Sequence, residues 1–467
     1  MVHIKITKGL DIPIKGKPEG KIHVITPSGQ SSSIVTPSQI ALSLKGFEDL
    51  KFRLLVKADD VVKVGQPLVE DKSTPGRMFV SPAAGVIKEI RRGQKRTLQD
   101  IVIDVAKQES FQELPPINIE KASRDEITAR LLESGCFAHV RTRPFNLLAD
   151  PNKTPRSIFV KALESAPFVP PAEFQVEGHE KEFQAGLDAL TKLTSGAVHL
   201  VHRSETPSHA FTEARNVQKH TAEGPHPISN QSLHIQRIDP IISPDDIVWT
   251  LSAWDVVAIG FALTKGRCFV DRIISIAGPG ILEGRIGYFK ARNGFPVEAL
   301  IGGRLARGQV RLVSGDPLMG YKVSPDDFLG FYHTAFTAIP ESVERDFLHF
   351  MGLGVNKYTF SKAYMAGHLD NTKRVYNFTT SQHGEHRPFI DSTLYDKVMP
   401  LDVPTMLLVK AVMAEDYDLA ETLGLLEVDS EDFALPTFVC PSKMEMTEIM
   451  KAGIRQHAKE LGGYTVL

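Results

Sequence analysis

The sequence predicts an α+β multidomain chain, and three observations carry that expectation. Residues 1 to about 110 hold many short apolar alternations separated by Gly and Pro. From about residue 120 helical and strand periods alternate, and the last third is helical in period. At 467 residues the chain exceeds one domain, for which about 150 residues is a fair prior. The division reads as a β-sandwich over 1–110, an α/β domain over 111–243, a helix with a Gly-rich β module over 244–330, and an α-helical domain over 331–467.

In the first part, Ile4-Lys5-Ile6, Ile12-Pro13-Ile14 and Ile22-His23-Val24-Ile25 alternate before a polar loop at 27–33. Further strands are expected at 53–56, 66–69, 78–80, 85–90 and 100–105, enough short strands for a compact sandwich or barrel. Next, Ser123 and Glu126 make a capping box, Ile127, Leu131 and Leu132 an apolar stripe, and Gly135 a stop. A buried strand at 157–163, a helix at 180–193 and a strand at 197–201 follow. Such alternation makes a mostly parallel, Rossmann-like sheet. The Gly-punctuated stretch to about 323, with a strand at 271–276, reads as a β-rich, β-grasp-like module. Short packed helices fit 405–414, 419–426, 430–435 and 442–461.

The stretch 247–264 is 18 residues with one formal charge, Asp255. As a helix it would be about 27 Å long, barely the bilayer's hydrocarbon core, with a carboxylate costing about 3 kcal/mol near its middle. Ser243 as N-cap, Pro244 at the first helical position and Asp245 and Asp246 after it read instead as a buried helix of a soluble chain.

Composition narrows the function. Lys+Arg number 54 against Asp+Glu 56, a net of −2, which argues against a general nucleic-acid binder. Hydrophobic residues at 42% exclude wholesale disorder. Cys136, Cys268 and Cys440 are dispersed, so they give no disulfide framework, are too few for an iron–sulfur cluster, and fit a reducing compartment. Residues 1–6 have no apolar core of signal-peptide length.

Val61-Val62-Lys63-Val64-Gly65-Gln66-Pro67-Leu68, followed by Ser81-Pro82-Ala83-Ala84-Gly85-Val86, resembles the two halves of a biotinyl/lipoyl carrier domain. Lys72 stands near the hairpin tip that carriers acylate. The interval to Gly85 is longer than carriers use and contains Pro75-Gly76, so an unmodified sandwich is the reading and acylated Lys72 the alternative. Gly278-Pro279-Gly280 with Gly284 has GxGxxxG spacing and a proline where a pyrophosphate needs an N–H, so these are turn glycines. Gly302-Gly303 and the 314–320 run read likewise. His383-Gly384-Glu385-His386 lacks the helical metal spacing and reads as a solvated loop. Arg91, Arg92, Lys95 and Arg96 surround Gly93, either as a solvated hairpin or as a contact for an acidic partner or anionic membrane face. Arg141-Thr142-Arg143-Pro144-Phe145 precedes the first α/β strand, where a crevice would open; ion pairing is the competing role.

The order of these pieces resembles the NqrA family, the A subunits of the bacterial Na+-translocating NADH:quinone reductases. The matching motifs are 6–14, Glu70-Asp71-Lys72 with 81–85, 141–145, 155–160, 255–260, 314–320, 398–402 and 437–441, which span essentially the whole chain. That family resembles in turn the flavin-binding subunit of respiratory complex I and the C subunit of related electron-transport complexes, which hold FMN on a "GGAGFPT" loop. Here 140–145 lacks those glycines. The resemblance implies a cofactor-free peripheral subunit on the cytoplasmic face of the bacterial inner membrane, docked on the reductase's membrane-embedded B subunit, with the C subunit nearby. FMN, riboflavin and iron centres would belong to those partners. It also implies a share in ubiquinone binding. Arg141, Arg143 and Phe145, with Trp249 and Trp254, are the expected lining of a slot with donors for the quinone carbonyls. Arg91, Arg92, Lys95 and Arg96 are the expected partner contact. The alternatives are an assembly protein without ligand, a carrier enzyme acylated at Lys72, and a flavin-dependent NADH dehydrogenase.

Overall fold

The computed structural model describes residues 1–24, 37–343, 351–369 and 373–462; the polar loop expected at 27–33 lies outside the described residues. Near the N-terminus, Gln39–Ser43, Leu98–Val105, Gly85–Arg92 and Val61–Val62 form one antiparallel sheet. Phe52–Leu54, Pro67–Asp71 and Met78–Val80 form another. Alternate side chains point inward, so Ile101 and Ile103 meet Ile40, Leu68, Phe79 and Ile87 between the sheets. Val102 is buried as well, because its face packs on Phe328 of the third module.

A seven-stranded sheet forms the centre. Its order is His3–Lys5, Gln218–Glu223, Val198–Arg203, Ser157–Ala162, Val248–Ser252, Arg141–Arg143 and Leu147–Leu148. The first five are parallel and the last two antiparallel. Before it stands the helix Arg124–Glu133, whose capping box is present: Ser123 Oγ accepts from Glu126 N at 3.2 Å, and Glu126 Oε2 accepts from Ser123 N at 2.8 Å. Gly135 follows in the left-handed region, at φ 76°.

The helix expected to start at Ser243 and Pro244 is a strand followed by a helix. Val248–Ser252 lies between Ser157–Ala162 and Arg141–Arg143, and Ala253–Lys265 is the helix. The reason is local. Ile247-Val248-Trp249-Thr250-Leu251 is rich in β-branched and aromatic residues. Ser252 and Asp255 then supply the real cap, with Ser252 N and Oγ both donating to Asp255 Oδ2 at 2.7 Å. That helix packs on Glu180–Leu190 at very close range. A Cβ on Gly260 would stand 1.8 Å from the Glu182 carbonyl oxygen, so glycine is required there.

A six-stranded sheet holds Tyr321–Val323, Val310–Ser314, Ala335–Pro340, Asp271–Ala277, Gly287–Arg292 and Ile22–Val24 in that order. Ala335–Pro340 pairs with both Val310–Ser314 and Asp271–Ala277, so this sheet runs past the division expected at 330. The first 24 residues are shared out: His3–Lys5 joins the central sheet and Ile22–Val24 this one. Among the described residues the final α-helices begin only at Thr393–Asp396. They then run Thr405–Met413, Tyr417–Thr422, Ala434–Val439 and Met446–Glu460. Leu408, Phe433 and Met450 of this group share a core with Phe159 and Val201, so the helices cover one face of the central sheet. Phe183, Leu187 and Val257 cover the other with Ile158 and Leu200. Burial on both faces explains the near-continuous apolar run of the central strands.

Candidate ligand cleft

Arg141–Arg143 runs antiparallel to Val248–Ser252, with Thr142 opposite Trp249 and Arg143 opposite Val248. Paired residues share a face, and successive residues alternate. Arg141 and Arg143 therefore lie on the face away from Trp249. The chain then turns through Phe145 and Asn146, both left-handed at φ 75° and 52°, before returning as Leu147–Leu148. That backbone is uncommon for phenylalanine. The Phe145 ring meets His457 edge-on at 5.8 Å.

Between this turn, the 46–50 segment of the sandwich and residues 451–455 of the last helix lies a cavity of about 130 Å³. Its apolar lining includes Phe47, Leu50, Phe145, Leu148 and Ile454. In volume it approaches the cavity of about 150 Å³ that accepts benzene, but its lining mixes polar and apolar groups and it opens to solvent. The charged lining divides into used and unused groups. Arg455 is engaged by Glu48 at 3.1 Å and Asp49 at 3.0 Å, and Asn146 donates to Asp429. Arg141 rests over the Tyr332 ring, its guanidinium carbon 4.9 Å from the centre. Neither Arg141 nor Lys451 has a carboxylate partner among the described residues.

The five residues expected around a quinone are thus divided. Arg141 and Phe145 line the cleft. Arg143 is 2% exposed and does not line it; Nη1 donates to Ser232 Oγ at 2.9 Å and Nη2 to the Glu427 carbonyl at 3.1 Å. Trp249 is fully buried, edge-on to Phe137 at 5.6 Å. Trp254 donates from Nε1 to the Asp271 carbonyl at 2.8 Å, beneath the Arg272 guanidinium at 4.0 Å. Both tryptophans are core residues away from the cleft. Phe47, Lys451 and Ile454 escape a sequence reading because they come from distant segments with no local signal linking them.

The other singled-out residues have definite surroundings. Arg91 pairs with Glu89 at 2.8 Å and donates to the Asp326 carbonyl at 2.8 Å, whereas Arg92, Lys95 and Arg96 are exposed. Lys72 is exposed in the turn between Pro67–Asp71 and Met78–Val80. The base of that turn is closed by buried Arg77, 2.8 Å from Asp71 and donating to the Ala149 carbonyl. Gly278 donates to the Gly16 carbonyl at 2.9 Å, and a Cβ on it would stand 2.4 Å from the Ala338 oxygen. Its freedom serves backbone packing. Among the described residues no group of three His, Cys, Asp or Glu is placed to hold a metal.

In an open α/β sheet the usual crevice lies at the carboxyl ends of the strands where the order reverses, here Ser157–Ala162 and Val248–Ser252. The chain's own polar groups crowd this point. Lys161 Nζ sits 3.0 Å from Glu164, Gln231 donates to the Leu251 carbonyl at 2.9 Å, and Asn230 donates to Asp432 at 2.8 Å. Burial, reinforced by Asp429, pushes the Glu431 carboxyl up to about 8 against the pull of Lys161.

Comparison with known proteins agrees with this architecture. A family model described as the NqrA N-terminal barrel-sandwich hybrid domain matches residues 4–106, and one described as the NqrA second alpha/beta domain matches 122–268. The second match ends just beyond the Ala253–Lys265 helix. The A subunit of the Na(+)-translocating NADH-quinone reductase of Chlamydia caviae is 36% identical over 98% of this chain and 97% of its own. That of Tolumonas auensis is 36% identical over 96% and 98%. That of Vibrio parahaemolyticus is 34% identical over 98% and 100%. Likeness at this level over nearly the full length places the chain in the NqrA family, the A subunits of the Na+-translocating NADH-quinone reductases.

Proposed function

We propose that this chain is a cofactor-free, peripheral subunit of the sodium-pumping NADH:quinone reductase that docks on its membrane subunits and supplies part of the ubiquinone site. The reading rests chiefly on the ring-sized cleft with Arg141 and Lys451 at its edge and Phe145 in its wall. A quinone head needs an apolar slot and one or two donors for its carbonyl oxygens. Cationic donors also favour the oxyanion formed as electrons arrive. In this reading the chain binds and orients the head group, while FMN, riboflavin and iron centres in the reductase's other subunits, its B and C subunits among them, carry the electrons. No helix among the described residues is long and apolar enough to cross a membrane, so the sodium path is assigned to the partners. The chain would sit on the cytoplasmic face of the inner membrane, with Arg92, Lys95 and Arg96 among its partner contacts.

Calorimetric titration of the full chain with a short-chain ubiquinone tests the quinone part. Saturable binding, weakened about tenfold by Arg141→Ala or Lys451→Ala, is expected for loss of one charge-assisted donor. Absence of binding both to the chain and, in a cleft-dependent way, to the assembled complex would leave an assembly role only.

A further inference from the structure

Two cleft residues, Lys451 and Ile454, stand three positions apart on the helix Met446–Glu460, and His457 follows three positions further on. Residues at this spacing are neighbours on a helix surface, so His457 continues the row that reaches the cleft. It does not line the cleft itself. It is 6% exposed and meets Phe145, which does line it.

The His457 ring is held from two directions. Nε2 donates to Glu421 Oε1 at 2.6 Å, and the ring stacks on that of Tyr417 at 4.9 Å with the planes 14° apart. Both partners belong to the helix Tyr417–Thr422. The other nitrogen, Nδ1, is buried without a hydrogen-bond partner among the described residues. Leaving a buried polar atom unpaired is costly. What this placement gains is ring contact, one stack on Tyr417 and one edge-to-face pair with Phe145 at 5.8 Å and 78°.

Phe145 needs such support. Its φ of 75° is left-handed, and a bulky residue stays there only where its surroundings fix it. Asn146, at φ 52°, is of a type that enters this region readily, and its side chain is tied to Asp429. Phe145 has no side-chain hydrogen bond to offer. Beside the aliphatic core of the C-terminal helices, the one aromatic ring it meets among the described residues is His457.

We propose that His457 is a positioning residue of the quinone cleft: clamped by Tyr417 and Glu421, it fixes the Phe145 ring as the cleft wall. This inference rests on the quinone reading above and adds a residue that touches no quinone. It ties binding to the seating of the last helix, which supplies Lys451 directly and holds Phe145 through His457. A Phe145 ring left unfixed must be ordered when a head group arrives, and that ordering lowers affinity.

The test is calorimetric titration of the full chain with a short-chain ubiquinone, read beside the thermal midpoint. His457→Gln keeps a donor for Glu421 and loses the ring. Binding weakened about two- to tenfold is expected, the worth of one edge-to-face pair. His457→Phe keeps the ring and loses the donor, so it retains parental affinity even where its midpoint falls. Tyr417 is only half-buried, so Tyr417→Leu folds and, by removing the stacked ring, weakens binding in the same sense. In the assembled reductase the same changes raise KM for ubiquinone with kcat held, since neither ring carries electrons. Unchanged affinity in both His457→Gln and Tyr417→Leu overturns the inference. So does affinity that follows the thermal midpoint in every variant, the mark of a merely structural role. Arg141→Ala separates the two readings. If it weakens binding while the His457 and Tyr417 variants do not, only the positioning role fails; if it too has no effect, the quinone cleft fails and the positioning role with it.

Discussion

Arg143 Nη2 donates to the Glu427 carbonyl oxygen at 3.1 Å, tying the edge of the central sheet to the C-terminal helices across 284 positions of sequence. Because this guanidinium is 2% exposed and Arg141 lines an open cleft, two arginines of one short motif should behave oppositely. Arg143→Ala leaves the Ser232 hydroxyl and the Glu427 carbonyl without their buried charged donor and should cost about 1–3 kcal/mol. Arg141→Ala should cost less than about 1 kcal/mol while weakening quinone binding. Thermal midpoints alongside quinone titration of both variants check this; equal loss of stability in the two would contradict it.

How far the sequence can be read follows from how local each signal is. The Ser123–Glu126 cap lies within four residues and is legible. The Ser252–Asp255 cap is as short, but the apolar run before it hides the boundary, because a strand buried on both faces has no period of its own. Arg141 and Phe145 are legible as a motif, whereas Phe47 and Ile454 reach the same cleft only through tertiary packing. Trp249 reads as an aromatic near the site; strand alternation turns it to the opposite face.

The buried histidines should make the fold acid-sensitive. Burial holds the imidazoles of His220, His226, His234 and His333 down to about 4. An unfolded chain's histidines titrate near about 6.5, so it takes up more protons between those values, and stability falls as pH drops through that window. Each group contributes at most about 3 kcal/mol. His220 shows why protonation is costly. Its Nδ1 accepts from Val2 N at 3.1 Å, so its proton sits on Nε2, 3.0 Å from His199 Nδ1. The thermal midpoint should fall steeply below pH 6 relative to its value at pH 7; a flat profile would contradict the burial argument.

Glu431 acts with the opposite sign. Its carboxyl, pushed up to about 8 by burial and by Asp429, stays protonated in the fold where the unfolded chain would ionise. Stability from this group is present at low pH and is lost as pH rises from about 4.5 to 8. Glu431→Gln removes the titration, so at pH 8 the variant should exceed the parent by up to about 4 kcal/mol, with the difference shrinking below about 1 kcal/mol at pH 5. Denaturation curves at the two pH values measure it. A variant less stable than its parent at pH 8 would show that Glu431 is ionised and paired with Lys161.

The cleft itself is tested most directly by irradiating the assembled reductase with a photoreactive short-chain quinone and mapping the label by peptide mass spectrometry. Label on peptides holding 46–50, 141–148 or 451–455, displaced by excess ubiquinone, is the predicted result. Label confined to other subunits, or on this chain only around Trp249 and Trp254, would contradict it.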